Sequence, residues 1–481
     1  MTRGHGLAYK IGRMKIINDE NLTITKVVPL IRQRQLSPVE LTKALLARIE
    51  RLQPALNAFI TVTPDLALKQ ARQAEKEISK GRYRGVLHGI PITIKDLFYT
   101  AGIRTTAGSK ILRNFVPTEN AIVVDRMREA GTILLGKTNL HEFAFGATNV
   151  NPHYGPVHNP WDLGRISGGS SGGSAAAVSA GLCLASLGTD TGGSIRLPVA
   201  ACGIVGLKPT FDLVPTNGVI PLSFTLDHVG PLCRCVEDAA LMLGVMAGAG
   251  ARSPIGLRRS GKGIRNLRVG VPKNYYFDRL QREVRHRVLA AHAALEKMGA
   301  KIQEVKLEGI QETANLVADI IFPEALAFHW KWINKRPGDY GEDLRTRMQD
   351  RMAQTAVTYL RALRKRRGYA ESFRKVMESV DVLAVPTIAI VAPRITDQEV
   401  KIGRSKEIVR AALLRLTFPG NLSSLPAISL PCGFSREKMP IGLQLIGRPF
   451  DEATLLRVAL EYEQSTPWHK MFPPEENFLG G

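Results

Sequence analysis

Two glycine–serine runs bracket one apolar unit, and they constrain this chain more than any other feature of its 481 residues. The first, Gly168-Gly169-Ser170-Ser171-Gly172-Gly173-Ser174, leads without a break into Ala175-Ala176-Ala177-Val178, the start of an apolar helix. The second, Gly188-Thr189-Asp190-Thr191-Gly192-Gly193-Ser194-Ile195-Arg196, follows a short apolar strand. A flexible glycine–serine linker would join independent units and would lack that apolar continuation. Turns of this composition instead let backbone N–H groups approach a ligand closely, which suits stabilisation of an oxyanion. Their serines are therefore candidates for chemistry.

The flanking chain alternates helix-like and strand-like segments. Leu41, Leu45, Leu46, Ile49 and Leu52 recur at helical spacing, predicting helices up to about residue 80. Ile90, Ile92 and Ile94 share one face of a short strand and put Lys95 on the other face at its end. A helix-like stretch over 119–130 runs into the strand Thr132-Ile133-Leu134-Leu135, and residues 146–168 are rich in Asn, Gly and Pro. Strand-like runs return at 267–272, 382–386, 427–431 and 442–446, around helices over 280–380. Strands at both ends of the chain, with no internal repeat, predict a single large α/β/α domain. Its mixed central sheet is expected to be covered by helices on both faces, with an N-terminal helical arm. The predicted division is an extension at 1–13, disordered or an upstream start, then one domain over 14–481. Within it lie the helical arm (14–80), the catalytic core (89–250) and the rest of the sheet with the pocket helices (267–470). The polar stretch 252–268 reads as a surface excursion.

Composition narrows the class further. With 44% apolar and 22% charged residues, the chain can bury a large core and is neither disordered nor fibrous. Cys183, Cys202, Cys233, Cys235 and Cys432 are scattered without a CxxC pair, which points to a reducing cytoplasm. The basic N-terminus lacks the apolar segment of a signal peptide, and no stretch approaches the roughly 18 apolar residues of a membrane span, so no membrane partner is expected. A net charge of +22 raises RNA as a partner. The densest basic run, 361–375, reads instead as a solvated helix face, because Tyr359, Tyr369 and Phe373 do not form a base-stacking platform. No nucleic-acid partner is expected.

Three other patterns carry less. Gly131-Thr132-Ile133-Leu134-Leu135-Gly136-Lys137-Thr138 matches a phosphate-binding loop, but its interior reads as a strand whose N–H groups are committed to a sheet. Gly168-Gly169-Ser170-Ser171-Gly172 matches a nucleophile elbow, yet the later histidines lie in segments with no distinctive motif. His141, His153 and His158 fall close together on a loop-rich segment, where structural or pocket roles are favoured over a metal site.

The ordered set of motifs resembles the amidase signature family over about residues 22–460. The matching pieces are Gly89-Ile90-Pro91-Ile92-Thr93-Ile94-Lys95-Asp96, the two glycine–serine runs, Cys202-Gly203-Ile204-Val205-Gly206-Leu207-Lys208-Pro209-Thr210 and Ile441-Gly442-Leu443-Gln444-Leu445-Ile446-Gly447. Ser170 and Ser194 are 24 positions apart, the family's usual separation of those two members. The resemblance implies Ser194 as nucleophile, Ser170 as a relay on a cis peptide, and Lys95 as general base. It also implies an oxyanion hole of the N–H groups of Thr191, Gly192, Gly193 and Ser194. A lysine can play that part only if burial lowers its pKa toward neutrality. Asp190 and Arg196 are expected to brace the loop, and Ser171 to support it by hydrogen bonding. No metal or cofactor is implied.

The resemblance leaves the substrate open. The glutaminase subunits of transamidases carry an aspartate seven residues before the Asn of a late N-L-x-x-L-P segment, whereas here Asn421 is preceded at that distance by Leu414. Glu324-Ala325-Leu326-Ala327-Phe328-His329-Trp330 likewise resembles stand-alone hydrolases. Phe143, Phe145, Ile320, Phe322, Phe328, Trp330 and Leu414 are candidate pocket residues. They predict hydrolysis of neutral, bulky or aryl amides, with carbamates (urethanes) and esters as further substrates. The alternatives are the glutaminase component of a tRNA-dependent amidotransferase and a carbamate-specific hydrolase. The expected partner is the small-molecule substrate alone, and a homodimer stays open.

Overall fold

A computed structural model describes residues 22–248 and 263–478. The predicted extension 1–13, residues 14–21 and most of the polar stretch 252–268 lie outside the described residues.

Eleven strands from both ends of the chain form one mixed sheet. They are β1 (Phe59–Val62), β2 (Pro91–Lys95), β3 (Ile133–Thr138), β8 (Ala185–Thr189), β9 (Val205–Lys208), β10 (Val229–Cys233), β11 (Arg268–Pro272), β12 (Lys301–Val305), β13 (Val382–Pro386), β16 (Ala427–Phe434) and β17 (Pro440–Gly447). The intervening numbers belong to three two-stranded ribbons: β4 (Val150–Asn151) with β5 (Gly155–Pro156), β6 (His158–Asn159) with β7 (Asp162–Ile166), and β14 (Glu399–Ile402) with β15 (Ser405–Ile408). The sheet order is β1-β3-β2-β8-β10-β9-β16-β17-β13-β11-β12. Every residue of β2, β3, β8, β9, β10, β13 and β17 is buried. Strands buried along their whole length are covered on both faces, here by the flanking helices.

The first helices, Ile24–Arg32, Pro38–Leu56 and Pro64–Ser79, pack on this framework, the third against β3. Ser37 caps the second by accepting from the N–H groups of Val39 and Glu40, with Pro38 opening the first turn. Buried Asp238 accepts from the N–H groups of Ile24 and Thr25, fastening the first helix to the helix Val236–Met246.

Strand β2 lies between β3 and β8 and runs parallel to both, with Ile94 opposite Leu187. The carboxyl ends of β2 and β8 are therefore neighbours, and they bring Lys95 beside Thr189 and the second glycine–serine run. Gly131–Thr138 includes β3, as its apolar pattern predicts, and Lys137 is buried there against Asp96 Oδ1 at 3.3 Å. No phosphate loop forms.

Candidate active site

Lys95 ends its strand with no exposed surface. Its Nζ donates to Ser170 Oγ at 2.7 Å and to Thr189 Oγ1 at 2.8 Å. Burial pushes the amine down to about 7, against the upward pull of the carboxylates of Asp227 and Asp190. A substantial fraction of this lysine is thus neutral near pH 7 and able to take a proton. Ser170 follows a cis Gly169–Ser170 peptide.

Ser194 sits on the loop between β8 and the short helix Arg196–Cys202. Ser171 donates its N–H to Ser194 O at 3.3 Å and its hydroxyl to Thr189 O at 3.2 Å. Asp190 organises the rest of the loop. Its carboxylate accepts from Gly193 N at 2.9 Å, Ile195 N at 3.1 Å, Arg196 Nη2 at 2.8 Å and Asn421 Nδ2 at 2.9 Å. Burial opposes ionisation of Asp190, but Arg196 and Lys208 overcome it and hold the carboxyl below the usual range. Arg196 also donates to Thr417 O and Gln444 Oε1, tying the loop to the C-terminal strands. Gly193 has φ +133°, and a Cβ there would lie 2.2 Å from Thr417 Oγ1, so only glycine fits. Its N–H is spent on Asp190. The N–H groups of Thr191, Gly192 and Ser194 have no acceptor among the described residues.

A cavity of about 420 Å³ opens over Thr191, Gly192 and Ser194. Helix Thr313–Lys335 supplies Val317, Ala318, Ile321 and Phe322 to its wall, and the segment after β15 supplies Leu414 and Phe418. Phe145 packs on Phe322 with ring centroids 5.0 Å apart. Arg347, Arg351, Arg410 and Arg415 also line it, together with Asp350. Arg347 pairs with Asp343 at 2.6 Å and lies 4.7 Å from the centroid of the Phe145 ring. Arg415 pairs with Glu407 at 3.1 Å.

The Amidase family model matches residues 40–456. This chain belongs to the amidase signature family. It is 39% identical to the A subunit of the glutamyl-tRNA(Gln) amidotransferase of Carboxydothermus hydrogenoformans, over 94% of this chain and 99% of that one. A solved amidase structure aligns with TM-score 0.87 at 35% identity, over 92% of this chain and 99% of the other. A bacterial aryl acylamidase structure aligns with TM-score 0.84 at 26% identity, over 95% and 97% respectively. The chain is accordingly an enzyme acting on C–N bonds.

In this amidase the structure corrects several residue expectations. Phe145, Phe322 and Leu414 line the cavity, but Phe143 is packed inside against His329 and Tyr340. Ile320 is fully buried away from the lining, Phe328 packs on Trp332, and Trp330 is 55% exposed. The helix explains this: Ala314, Val317, Ala318, Ile321 and Phe322 share one stripe, and the later aromatics lie beyond the cavity. Of the four amides expected in the oxyanion hole, that of Gly193 serves Asp190. The three clustered histidines do not converge. His153 Nε2 meets Glu142 Oε1 at 2.8 Å, His158 Nδ1 meets Leu163 O at 2.6 Å, and burial pushes His141 down to about 4. Sequence reading missed the lining arginines and Asp350, which come from segments with no motif. It also missed Asp227, for which adjacency to strand β10 was the only available signal.

Proposed function

We propose that this amidase hydrolyses its substrate through an acyl-enzyme on Ser194. Neutral Lys95 draws the proton of Ser170, and Ser170 draws that of Ser194 as its oxygen attacks the carbonyl carbon. The oxyanion meets the N–H groups of Thr191, Gly192 and Ser194. The tetrahedral intermediate collapses, the amine leaves with the relayed proton, and water then attacks the ester by the same relay. Aryl carbamates and esters can follow this route, because only the leaving group changes.

The observation that carries the substrate reading is the mixed wall of the cavity: Ile321, Phe322, Leu414 and Phe418 beside Arg347 and Arg410. Apolar area favours a bulky acyl group at about 25 cal/mol per Å². Arg410, which pairs with no carboxylate among the described residues, amends the expectation of a neutral substrate. It can donate to a substrate carboxylate through a charge-assisted bond worth roughly 1.5–3 kcal/mol, whereas Arg347 is already held by Asp343. The reading is therefore an amide with an apolar acyl body that ends in an anionic group. Monoamides of dicarboxylic acids of increasing length, with 4-carbamoylbenzoate, should exceed their neutral analogues in kcat/KM by about tenfold or more. Arg410→Gln should erase that advantage through KM. Neutral amides winning throughout the series would overturn the reading.

A second reading, the glutaminase component of a tRNA-dependent amidotransferase, draws support from the 39% identity to the Carboxydothermus hydrogenoformans protein. Leu414 removes one cation receptor, but Asp350 lies in the same cavity as Arg347, so the lining offers a carboxylate and a guanidinium for a zwitterion. Glutamine hydrolysis far above that of the dicarboxylic monoamides would favour this reading.

A further inference from the structure

Asp227 has no part in the relay from Ser194 to Lys95, yet it touches the loop that carries Ser194. It lies just before β10, buried at 9% exposure. Thr191 donates its hydroxyl to Asp227 Oδ1. The other oxygen accepts the N–H groups of Leu222 at 2.9 Å and Ser223 at 3.1 Å. Next to it, the backbones of Asp190 and His228 exchange two hydrogen bonds, of 2.9 and 3.1 Å, so the loop is also held at the residue before Thr191.

The clamp continues outward. Glu324, on the helix that walls the cavity, accepts from the hydroxyls of Ser223 and Thr225 and from Tyr359 Oη at 2.8 Å. A continuous polar chain therefore links Thr191, whose N–H faces no protein acceptor among the described residues, to the cavity wall. The two amides can only donate to Asp227, and the Thr191 hydroxyl donates to its other oxygen when the carboxylate is ionised.

We propose that Asp227 is a positioning residue for the reaction: it fixes Thr191 in the oxyanion hole, and its negative charge sets the field at Lys95. The proposal rests on the acyl-enzyme reading of Ser194, Ser170 and Lys95. Strand pairing sets Asp227 and Lys95 near each other: Val229, two residues after Asp227, lies opposite Thr189, whose hydroxyl accepts from Lys95, and the carboxylate pulls up an amine that burial pushes down. The groups facing Asp227 are the Thr191 hydroxyl, the amides of Leu222 and Ser223, and the Glu324 carboxylate across the loop. Burial, with Glu324 adding to it, raises Asp227 to about 6 despite those hydrogen bonds.

The two roles separate experimentally. With 4-nitrophenyl butyrate as acyl donor, Asp227→Asn should lower kcat by roughly ten- to a hundredfold, less than the roughly 10² to 10³ that follows outright removal of one oxyanion donor. It should also move the acid limb of the kcat/KM profile to lower pH, because an uncharged neighbour no longer favours the lysine's ammonium form. Thr191→Val should lower kcat while leaving that limb in place, and Thr191→Ser, which keeps the hydroxyl, should restore most of the rate. A wild-type rate and limb in Asp227→Asn would overturn the proposal. So would a wild-type rate in Thr191→Val, which decides the matter if Asp227→Asn does not fold. Full activity in Ser194→Ala would instead overturn the acyl-enzyme reading beneath it, and is a distinguishable result.

Discussion

At the residue scale, the chemistry turns on the proton affinity of one amine. Lys95 is an effective base only when neutral, and burial brings it down to about 7. Its loss of a proton therefore switches activity on as pH rises: kcat/KM should climb with pH and level off above an apparent pKa near 7. Replacing Lys95 with Met, which retains the length and removes the base, should abolish that limb and lower kcat by roughly 10² to 10⁴, the usual worth of general base catalysis. Ser194→Ala should remove turnover altogether. A profile flat from pH 5 to 9 in the wild type would assign the proton transfer to some other group. The sequence showed Lys95 at the end of an alternating apolar strand and the serines in glycine-rich turns, whereas their relay roles were implied only by the family resemblance. The arginines of the cavity were not legible: Arg347, Arg410 and Arg415 come from separate places along the chain, and only the folded segments bring them together.

At the scale of elements, the wall of the cavity is a matter of helical phase. Helix Thr313–Lys335 is apolar through much of its length, so the pattern announces a buried helix without saying which stripe meets substrate. Aromatic content alone favours Phe328 and Trp330, but the stripe through Ala314, Val317, Ala318, Ile321 and Phe322 is the one that the neighbouring segments leave open. That choice depends on where residues 408–418 dock, a contact remote in sequence. Ala318 offers the sharpest test, since it is only half-buried and faces the cavity. Ala318→Phe should raise KM for bulky acyl groups by about tenfold, equivalent to roughly 1.4 kcal/mol, and leave acetyl substrates nearly unchanged. Phe328→Ala should alter neither ratio. Steady-state kinetics on paired acetyl and benzoyl anilides would measure both, and an equal loss for the two substrates in Ala318→Phe would remove the helix stripe from the specificity argument.

At the scale of the whole molecule, the composite sheet was foreseeable from strands at both ends, whereas its order was not, because β9 pairs with β16, a strand remote from it along the chain. The same long-range closure explains part of the charge. Arg196 is wholly buried in the site, Arg165 bonds Asp162 and Glu437, and Arg448 bonds Asp381, so these cations serve the fold. The basic helix Ala356–Ser379 is also partly engaged: Arg374 pairs with Glu371 and Glu378, Lys365 with Glu312, and Arg366 donates to Ser424 Oγ. A face already paired in this way presents less free charge to phosphate than the net +22 suggests. The purified chain should therefore hydrolyse amides without RNA or a partner protein. Raising salt from 50 to 200 mM should leave the rate on neutral substrates nearly constant, whereas a complex held by six to ten phosphate contacts would weaken by roughly 10³ to 10⁵. Titration of the chain with tRNA in that salt range, alongside ammonia release from glutamine, checks both. Tight, salt-sensitive tRNA binding that appears with a partner and directs glutamine nitrogen onto the aminoacyl group would make the transamidase component the correct reading and the free amidase the wrong one.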